Sequence, residues 1–196
     1  MTDGVGGASV VGGIVLAAGG GTRFGGTKQL APLRGRPLLS YAVEAMLGAP
    51  AIARVVVVLG HDAERIMREV EFHDAAVVIC DEWADGQSAS LRAGIAAVGD
   101  VDAAVVTLGD QPRITPQVIA AVLDAHDDRH DAVRATYGGA PGHPVLLGRR
   151  LLARAGDLSG DAGFRDLLAS ERVRRFEAGH LCDPIDIDTQ EELARL

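Results

Sequence analysis

Short apolar runs alternate along this chain with longer amphipathic segments, and this alternation restricts the fold more than any other feature. The run Arg54–Leu59 contains four consecutive valines and is apolar on both faces, which is typical of a buried strand. The other predicted strands are Val11–Ala18, Ala75–Ile79, Ala103–Leu108, Ala132–Thr136, Pro144–Leu147 and Val173–Phe176. Strands that alternate with helices in this way form a mostly parallel, doubly wound α/β sheet with helices on both faces.

The segments between these runs predict helices at Ser40–Leu47, Asp62–Val70, Ser88–Val98 and from Thr115 to about Ala125. Asp62 and Thr115 are typical N-cap residues, and Pro116 suits the first helical turn. Near the end of the chain, Thr189 and Glu192 have the spacing of a capping box, which predicts a terminal helix.

The length of 196 residues suits one domain, predicted at residues 11–196 after a flexible tail at residues 1–10. No Lys or Arg precedes the first apolar run, and Gly12 and Gly13 interrupt it, so it resembles neither a signal peptide nor a membrane span. The two cysteines, Cys80 and Cys182, do not make a disulfide framework. These features predict a cytoplasmic protein.

The net charge of −8 bears on the choice of partner. A broad acidic surface repels phosphate, which argues against a nucleic-acid partner and against an anionic membrane. A small phosphorylated ligand remains allowed, because such a ligand needs only local positive charge.

A glycine-rich segment follows the first predicted strand and reads Gly19-Gly20-Gly21-Thr22-Arg23-Phe24-Gly25-Gly26-Thr27-Lys28. Ligands of doubly wound sheets bind beyond the carboxyl ends of the strands, where this segment lies. Its glycines let backbone amides approach an anion, and Arg23 and Lys28 add positive charge. Lys28 is the only lysine beside 18 arginines, which favours a specific role for its compact ammonium group. A plain flexible turn is the alternative.

Two familiar phosphate-binding loops are excluded by spacing. A Walker A loop needs a Ser or Thr directly after its lysine, but Gln29 follows Lys28. The dinucleotide fingerprint needs a third glycine at the position that Phe24 occupies. These differences disfavour a kinase and an oxidoreductase.

Two aspartates are candidate ligands for Mg²⁺ or Mn²⁺. Asp110 follows the predicted strand Ala103–Leu108, at the edge of the sheet where ligands bind. Asp188 joins it if the C-terminal segment folds back across the sheet, and a carboxylate pair with phosphate oxygens and water is typical of magnesium sites. The alternatives are a turn residue at Asp110 and a loop or helix-entry residue at Asp188.

Five segments together resemble the MobA-like nucleotidyltransferase family. Leu16–Lys28 is similar to the family signature L-x-x-G-x-x-x-R-M-G-x-x-K, with Phe24 where the family often has Met. The other segments, in the expected order, are Gly86–Leu91, Gly109–Pro112, Pro141–Leu146 and Asp186–Thr189. The resemblance extends over residues 12–196 and is greatest to the molybdenum cofactor cytidylyltransferases. It implies a Rossmann-like α/β fold of the nucleotide-diphospho-sugar transferase type.

The resemblance also implies a role for each matching residue. The implied nucleotide-binding residues are Leu16, Ala17, Ala18, Gly19, Gly20, Gly21, Arg23, Lys28, Gly86, Ser88 and Ser90. The implied acceptor-binding residues are Gln111, Pro112, Gly142, His143 and Pro144. Asp110 and Asp188 are the implied metal ligands, and Lys28, Arg23 and Asp110 the implied catalytic residues. His143 is expected in a turn, and Trp83 and Cys80 are expected to be packing residues.

The implied reaction is transfer of CMP from CTP to the phosphate of molybdopterin, with release of pyrophosphate. Ala17-Ala18-Gly19 is similar to the cytidylyl subgroup, and Gln111 favours the same choice. A molybdoenzyme or its maturation chaperone is the implied protein partner. The alternatives are guanylyl transfer from GTP, activation of another small phosphorylated metabolite, and a non-catalytic nucleotide or cofactor carrier.

Overall fold

The computed structural model describes residues 9–157, 167–169 and 171–196 of the chain. Its strands include β1 (Val11–Ala17), β2 (Pro32–Leu33), β3 (Arg36–Pro37), β4 (Ile52–Leu59), β5 (Ala76–Ile79), β6 (Ala103–Leu108), β7 (Ala132–Tyr137), β8 (Ala140–Gly148) and β9 (Val173–Glu177). Its α-helices include α1 (Leu38–Leu47), α2 (Ala63–Glu69), α3 (Gln87–Val98), α4 (Pro116–Asp124), α5 (Arg149–Leu152) and α6 (Gln190–Leu193).

Seven strands form one mostly parallel sheet in the order β5-β4-β1-β6-β8-β7-β9. β1 lies parallel between β4 and β6, β8 is antiparallel to β6 and β7, and β9 is parallel to β7. β4, the next strand of this sheet along the chain, lies on one side of β1, whereas β6 lies on the other side of β1. The loops after β1 and β6 therefore meet where the strand order reverses, which is the usual ligand position in open α/β sheets.

Helices cover both faces of the sheet, and the four consecutive valines of β4 show why. Val55 and Val57 point into a cluster formed with α1, α2 and α4. Val56 and Val58 point into a second cluster, formed with α3 and α5 on the opposite face. All four valines are buried, as the run of apolar residues predicts.

A short hairpin, absent from the sequence-based prediction, joins β2 to β3. Its two turn residues, Arg34 and Gly35, have φ angles of 49° and 82°, as a two-residue hairpin turn requires. Leu33 of this hairpin packs in a small cluster with Leu38 and Ile187. The C-terminal segment is thereby held next to the beginning of α1.

The predicted strands and helices are confirmed to within two residues at each end, apart from the start of β8. Thr115 caps α4 by accepting a hydrogen bond from Val118 N, and Thr189 forms the predicted capping box. Of the predicted tail at residues 1–10, residues 1–8 lie outside the described residues. None of the helices in the described ranges is long and apolar enough to cross a membrane.

One local prediction is wrong, and another is confirmed only in part. β8 begins at Ala140, so His143 lies in a strand and not in a turn. The turn falls earlier, at Gly138 and Gly139, where positive φ angles of 57° and 84° let β7 and β8 form a hairpin. Asp62 stands at the N-cap position of α2, but its side chain accepts a hydrogen bond from the hydroxyl of Thr27 and leaves the helix uncapped.

Candidate functional site

The loops that follow β1 and β6 touch at the carboxyl edge of the sheet. Gly109 N donates a hydrogen bond of 2.9 Å to Leu16 O. A Cβ atom at Gly109 would lie 2.8 Å from Ala17 Cβ, so a side chain there would push the two loops apart. Glycine at position 109 therefore allows the close approach that brings Asp110 beside the glycine-rich segment.

The glycine-rich segment folds back on itself. Phe24 N and Gly25 N both donate to Gly21 O, at 2.9 and 3.1 Å. Gly21 and Gly25 have φ angles of 57° and 79°, and a Cβ at Gly21 would lie 2.6 Å from Gly26 O. The loop thus needs glycine at position 21 for both conformational and steric reasons.

The buried side chain of Gln29 holds this loop by two hydrogen bonds to backbone carbonyls. Its side chain is 4% exposed, and its amide nitrogen donates to Ala17 O and to Gly19 O, each at 2.8 Å. One buried side chain therefore fixes the backbone on both sides of Ala18. No sequence motif marks Gln29, because its amide acts through backbone carbonyls.

One ion-pair cluster joins four side chains, those of Lys28, Arg23, Asp110 and Asp188. Lys28 Nζ lies 2.6 Å from Asp110 Oδ2 and 3.0 Å from Asp188 Oδ1. Arg23 Nη2 lies 2.9 Å from Asp188 Oδ2. Asp110 and Asp188, which lie 82 and 160 positions after Lys28 in the chain, thus meet at its ammonium group.

Asp188 reaches the cluster because the C-terminal segment crosses the edge of the sheet. Ile187 N donates to Asp110 O at 3.1 Å, and the Ile187 side chain is fully buried. Asp188 N donates to Glu192 Oε2 at 2.8 Å, within the capping box of α6. Gln111 Nε2 donates to Asp186 Oδ1 at 2.7 Å. The fold-back on which the predicted aspartate pair depends is present.

The ionisation of Lys28 reflects two opposing effects. Burial disfavours its charged form, but the carboxylates of Asp110 and Asp188 outweigh burial and raise the pKa of Lys28 above its ordinary value. Lys28 is therefore an ammonium ion at neutral pH. Burial, followed by the nearby charge of Asp110, raises the pKa of Asp186.

A cleft of about 370 Å³ opens beside this cluster. The predicted nucleotide-binding and metal-binding residues that line it are Leu16, Ala17, Gly19, Gly21, Arg23, Lys28, Gly86, Ser90, Asp110 and Asp188. Ala18 and Ser88 are 4% and 0% exposed and do not line the cleft, and neither does Gly20. The roles predicted for these residues stay predictions.

The predicted acceptor-binding residues lie outside the cleft lining. Gln111 is 3% exposed and is engaged with Asp186. Gly142 O accepts a hydrogen bond of 3.2 Å from Arg134 Nε. His143 is buried, and burial together with the charge of Arg134 lowers its pKa to about 3, so the imidazole is neutral at physiological pH. Pro112 is half-buried and Pro144 is buried. An acceptor role for this group stays a prediction.

Several cleft residues were not identified from the sequence. They are Thr22, Gln29, Trp83, Ala84, Gln87, Leu108 and Gly109. Thr22, Gln87 and Gly109 lie inside segments that resemble the family, and Gln29 and Leu108 adjoin such segments. Position in or next to a motif was therefore the available signal. Trp83 packs against a hydrophobic cluster, as expected, but it is only half-buried and also lines the cleft. Cys80 is buried as expected.

Residues 13–176 match the model of the MobA-like NTP transferase domain. The chain therefore belongs to the MobA-like nucleotidyltransferase family, as its motifs predicted, and this family binds nucleoside triphosphates and phosphorylated substrates. The match begins within β1 and ends within β9, before Asp188.

Known proteins resemble the chain over nearly its full length. Nicotine blue oxidoreductase of Paenarthrobacter nicotinovorans is 33% identical over 194 residues, which cover 94% of this chain and 95% of that protein. Rv0371c from Mycobacterium tuberculosis H37Rv has a TM-score of 0.86 at 29% identity, with 96% of this chain and 97% of that chain covered. A second crystal structure of Rv0371c is a complex with manganese. A nucleotidyl transferase from Methanothermobacter thermautotroptrophicus has a TM-score of 0.80 at 25% identity, covering 96% of each chain.

Proposed function

We propose that this member of the MobA-like family transfers CMP from CTP to the phosphate of a molybdopterin-type cofactor. A phosphate oxygen of the acceptor attacks the α-phosphorus, the bond from that phosphorus to the bridging oxygen breaks, and pyrophosphate leaves. The acceptor phosphate is already an anionic nucleophile, so the reaction needs no covalent enzyme intermediate. Catalysis of such a transfer rests on positioning and on neutralisation of charge.

The observation that carries the proposal is the meeting of Lys28 with Asp110 and Asp188 beside the glycine-rich loop. Both carboxylates have an oxygen within 3.0 Å of the same ammonium nitrogen. The glycines of the loop let backbone amides approach an anion, and Arg23 and Lys28 bring two positive charges to the cleft. This combination suits a triphosphate accompanied by a divalent cation.

The aspartates fit a divalent metal ion. Asp110 Oδ1 is buried and has no hydrogen-bond partner among the described residues, and an oxygen of this kind is a suitable hard ligand. No group of three or more His, Cys, Asp or Glu in the described ranges converges on one point, so phosphate oxygens and water would complete the coordination. Bound by Asp110 and Asp188, Mg²⁺ or Mn²⁺ would neutralise charge that develops on the departing pyrophosphate. The manganese complex of Rv0371c supports divalent metal binding in the family.

Three side chains have separate roles in binding the triphosphate. Lys28 is 14% exposed and keeps its proton, so it offers a fixed positive charge to the phosphates. Arg23 is 76% exposed and pairs with Asp188, so its guanidinium group is accessible to a triphosphate that enters from solvent. Gln29 holds the loop in shape while the ligand binds.

The nucleotide and the acceptor are tested separately. Thermal unfolding is measured with CTP, GTP, ATP and UTP, each with Mg²⁺, and CTP is expected to raise the melting temperature most. Pyrophosphate release is then followed with CTP and molybdopterin, with the acceptor omitted as the control. A preference for GTP would replace the cytidylyl assignment with a guanylyl one. Nucleotide binding without acceptor-dependent pyrophosphate release would indicate another phosphorylated acceptor or a carrier.

Oxidoreductase activity is a second candidate because one relative, similar over 95% of its length, is named nicotine blue oxidoreductase. The pair formed by Asp110 and Asp188 favours the transferase, since a redox step has no evident need of two carboxylates around one ammonium group. Oxidation of NADH or NADPH in the presence of a redox dye is measured beside pyrophosphate release. Turnover in the redox assay, with no pyrophosphate release from any nucleotide, would overturn the proposed function.

A further inference from the structure

Trp83 packs against a hydrophobic cluster on one side and lines the cleft on the other. It is the only tryptophan of the chain and begins a short 3-10 turn, Trp83–Asp85, between β5 and α3. It lines the same cleft as Lys28 and Asp110 and is only half-buried. A large aromatic side chain left partly exposed inside a concave site is available to contact a ligand.

The indole is held in place by the loops that follow β1 and β4. A Cβ at Gly60 would lie 2.5 Å from Trp83 Cβ, and a Cβ at Gly20 would lie 3.4 Å from Trp83 Cζ3. The rings of His61 and Trp83 meet edge to face, with centroids 5.3 Å apart and an interplanar angle of 83°. Glycine backbone and a histidine ring thus fix the indole beside the glycine-rich loop.

The lining of the cleft has two chemically different parts. Arg23, Lys28 and the two aspartates form the charged cluster. Trp83, Ala84, Gly86 and Gln87 are nearly consecutive in the chain and form a wall that carries no charge. A nucleoside triphosphate has the same division, because its phosphates are anionic and its base is flat and aromatic. With the phosphates at the charged cluster, the base faces the wall that includes Trp83.

We propose that the indole of Trp83 stacks on the base of the bound nucleoside triphosphate. This inference rests on the proposed function, in that the cleft must bind a nucleotide. Every base has a π-face, so stacking adds affinity for the nucleotide without choosing among the four bases. Choice of base falls to the polar groups nearby, such as those of Gln87 and Ser90.

Because Trp83 is the sole tryptophan, its fluorescence reports directly on the contact. Titration of the full chain with CTP and Mg²⁺ should change the emission, with a dissociation constant equal to that from calorimetry. Trp83→Ala should weaken CTP binding about tenfold, which corresponds to a typical stacking contribution. Trp83→Phe keeps an aromatic face and should retain most of the affinity.

Inorganic tripolyphosphate, which has no base, is the matched probe. With Mg²⁺ it should bind the wild-type protein and Trp83→Ala equally well. Equal weakening of tripolyphosphate and CTP would overturn the stacking proposal, since Trp83 would then act only by supporting the loop. Unchanged CTP affinity and unchanged emission would also overturn it, while leaving the proposed function intact. Binding of tripolyphosphate but of no nucleotide would overturn the proposed function as well.

Discussion

Asp110 combines two roles in a single carboxylate. One oxygen pairs with Lys28 at 2.6 Å, and the other is buried without a hydrogen-bond partner among the described residues. Asp110→Asn removes the negative charge while preserving the shape, so turnover is expected to fall at least about 100-fold, the scale of one electrostatic contact in a transition state. Steady-state pyrophosphate release measures the loss. Asp74→Asn, at an exposed position outside the cleft lining, should leave turnover unchanged.

Substitution of Gln29 should disturb the glycine-rich loop. Gln29→Glu keeps the size of the side chain but replaces the amide donor to Ala17 O and Gly19 O with a carboxylate oxygen. Buried acceptors would then face one another at a cost of about 1–3 kcal/mol, and the loop should lose its shape. We expect weaker CTP binding by calorimetry and a lower melting temperature.

The control for Gln29→Glu is Gln190→Glu, because Gln190 donates to Phe24 O at 3.4 Å from an exposed position. The same chemical change there should alter neither CTP affinity nor melting temperature noticeably. If Gln29→Glu bound CTP as tightly as the wild type, the loop would not depend on the amide of Gln29.

Among the elements, the C-terminal segment is the one on which the site depends most. Glu192 Oε2 accepts hydrogen bonds from Asp188 N and Thr189 N, each at 2.8 Å, and so fixes the backbone that carries Asp188. Glu192→Ala should therefore weaken Mn²⁺ binding, measured by electron paramagnetic resonance of the metal, about fivefold or more, since loss of a helix cap costs about 0.5–2 kcal/mol. Its melting temperature should change little, because α6 has only four residues.

Glu191→Ala is the matched control for that experiment. Glu191 adjoins Glu192, carries the same charge and is exposed. Both variants change the net charge equally, so a purely electrostatic effect would appear in both. Equal Mn²⁺ affinities for the two variants would show that the capping box does not position Asp188.

The sequence predicted the positions of those strands and helices that are determined by residues adjacent to one another in the chain. β4 and β6 have continuous apolar runs, and α4 begins at a Thr-Pro pair, so local chemistry determined their positions. The start of β8 was misplaced because Pro141, Gly142 and Pro144 are typical of turns. Pairing with β7, a contact between strands, overrides that local preference.

The candidate site shows the same division between local and distant determinants. The glycine-rich loop and Lys28 are contiguous, so their chemistry was visible in one stretch of sequence. The position of Gln29 depends on hydrogen bonds to the carbonyls of Ala17 and Gly19. The position of Trp83 depends on close approach to Gly20 and Gly60, and the sequence carries no pattern for either set of contacts. The placement of Asp188 could be stated only as a condition, since it requires the chain to return across the sheet.

For the molecule as a whole, Asp131 joins three parts of the chain that do not line the cleft. Its carboxylate is 5% exposed and accepts hydrogen bonds from Arg172 Nε at 3.1 Å and Arg150 Nε at 3.0 Å. Arg150 belongs to α5, Arg172 precedes β9, and Asp131 itself precedes β7. The bonds from Arg172, and then those from Arg150, hold the pKa of Asp131 well below its ordinary value.

This lowered pKa links the stability of the fold to pH. An aspartate that is more acidic in the folded state stabilises fully above its unfolded pKa of about 3.9, and this stabilisation is lost as pH falls toward the folded-state value. Asp131→Asn should therefore lower the free energy of unfolding by about 1–3 kcal/mol at neutral pH, with the difference from wild type shrinking as pH falls below about 4. Urea denaturation at several pH values measures both quantities. Asp128→Asn, at an exposed position, should show no such trend, and a difference for Asp131→Asn that stayed constant down to acid pH would contradict the role of its charge.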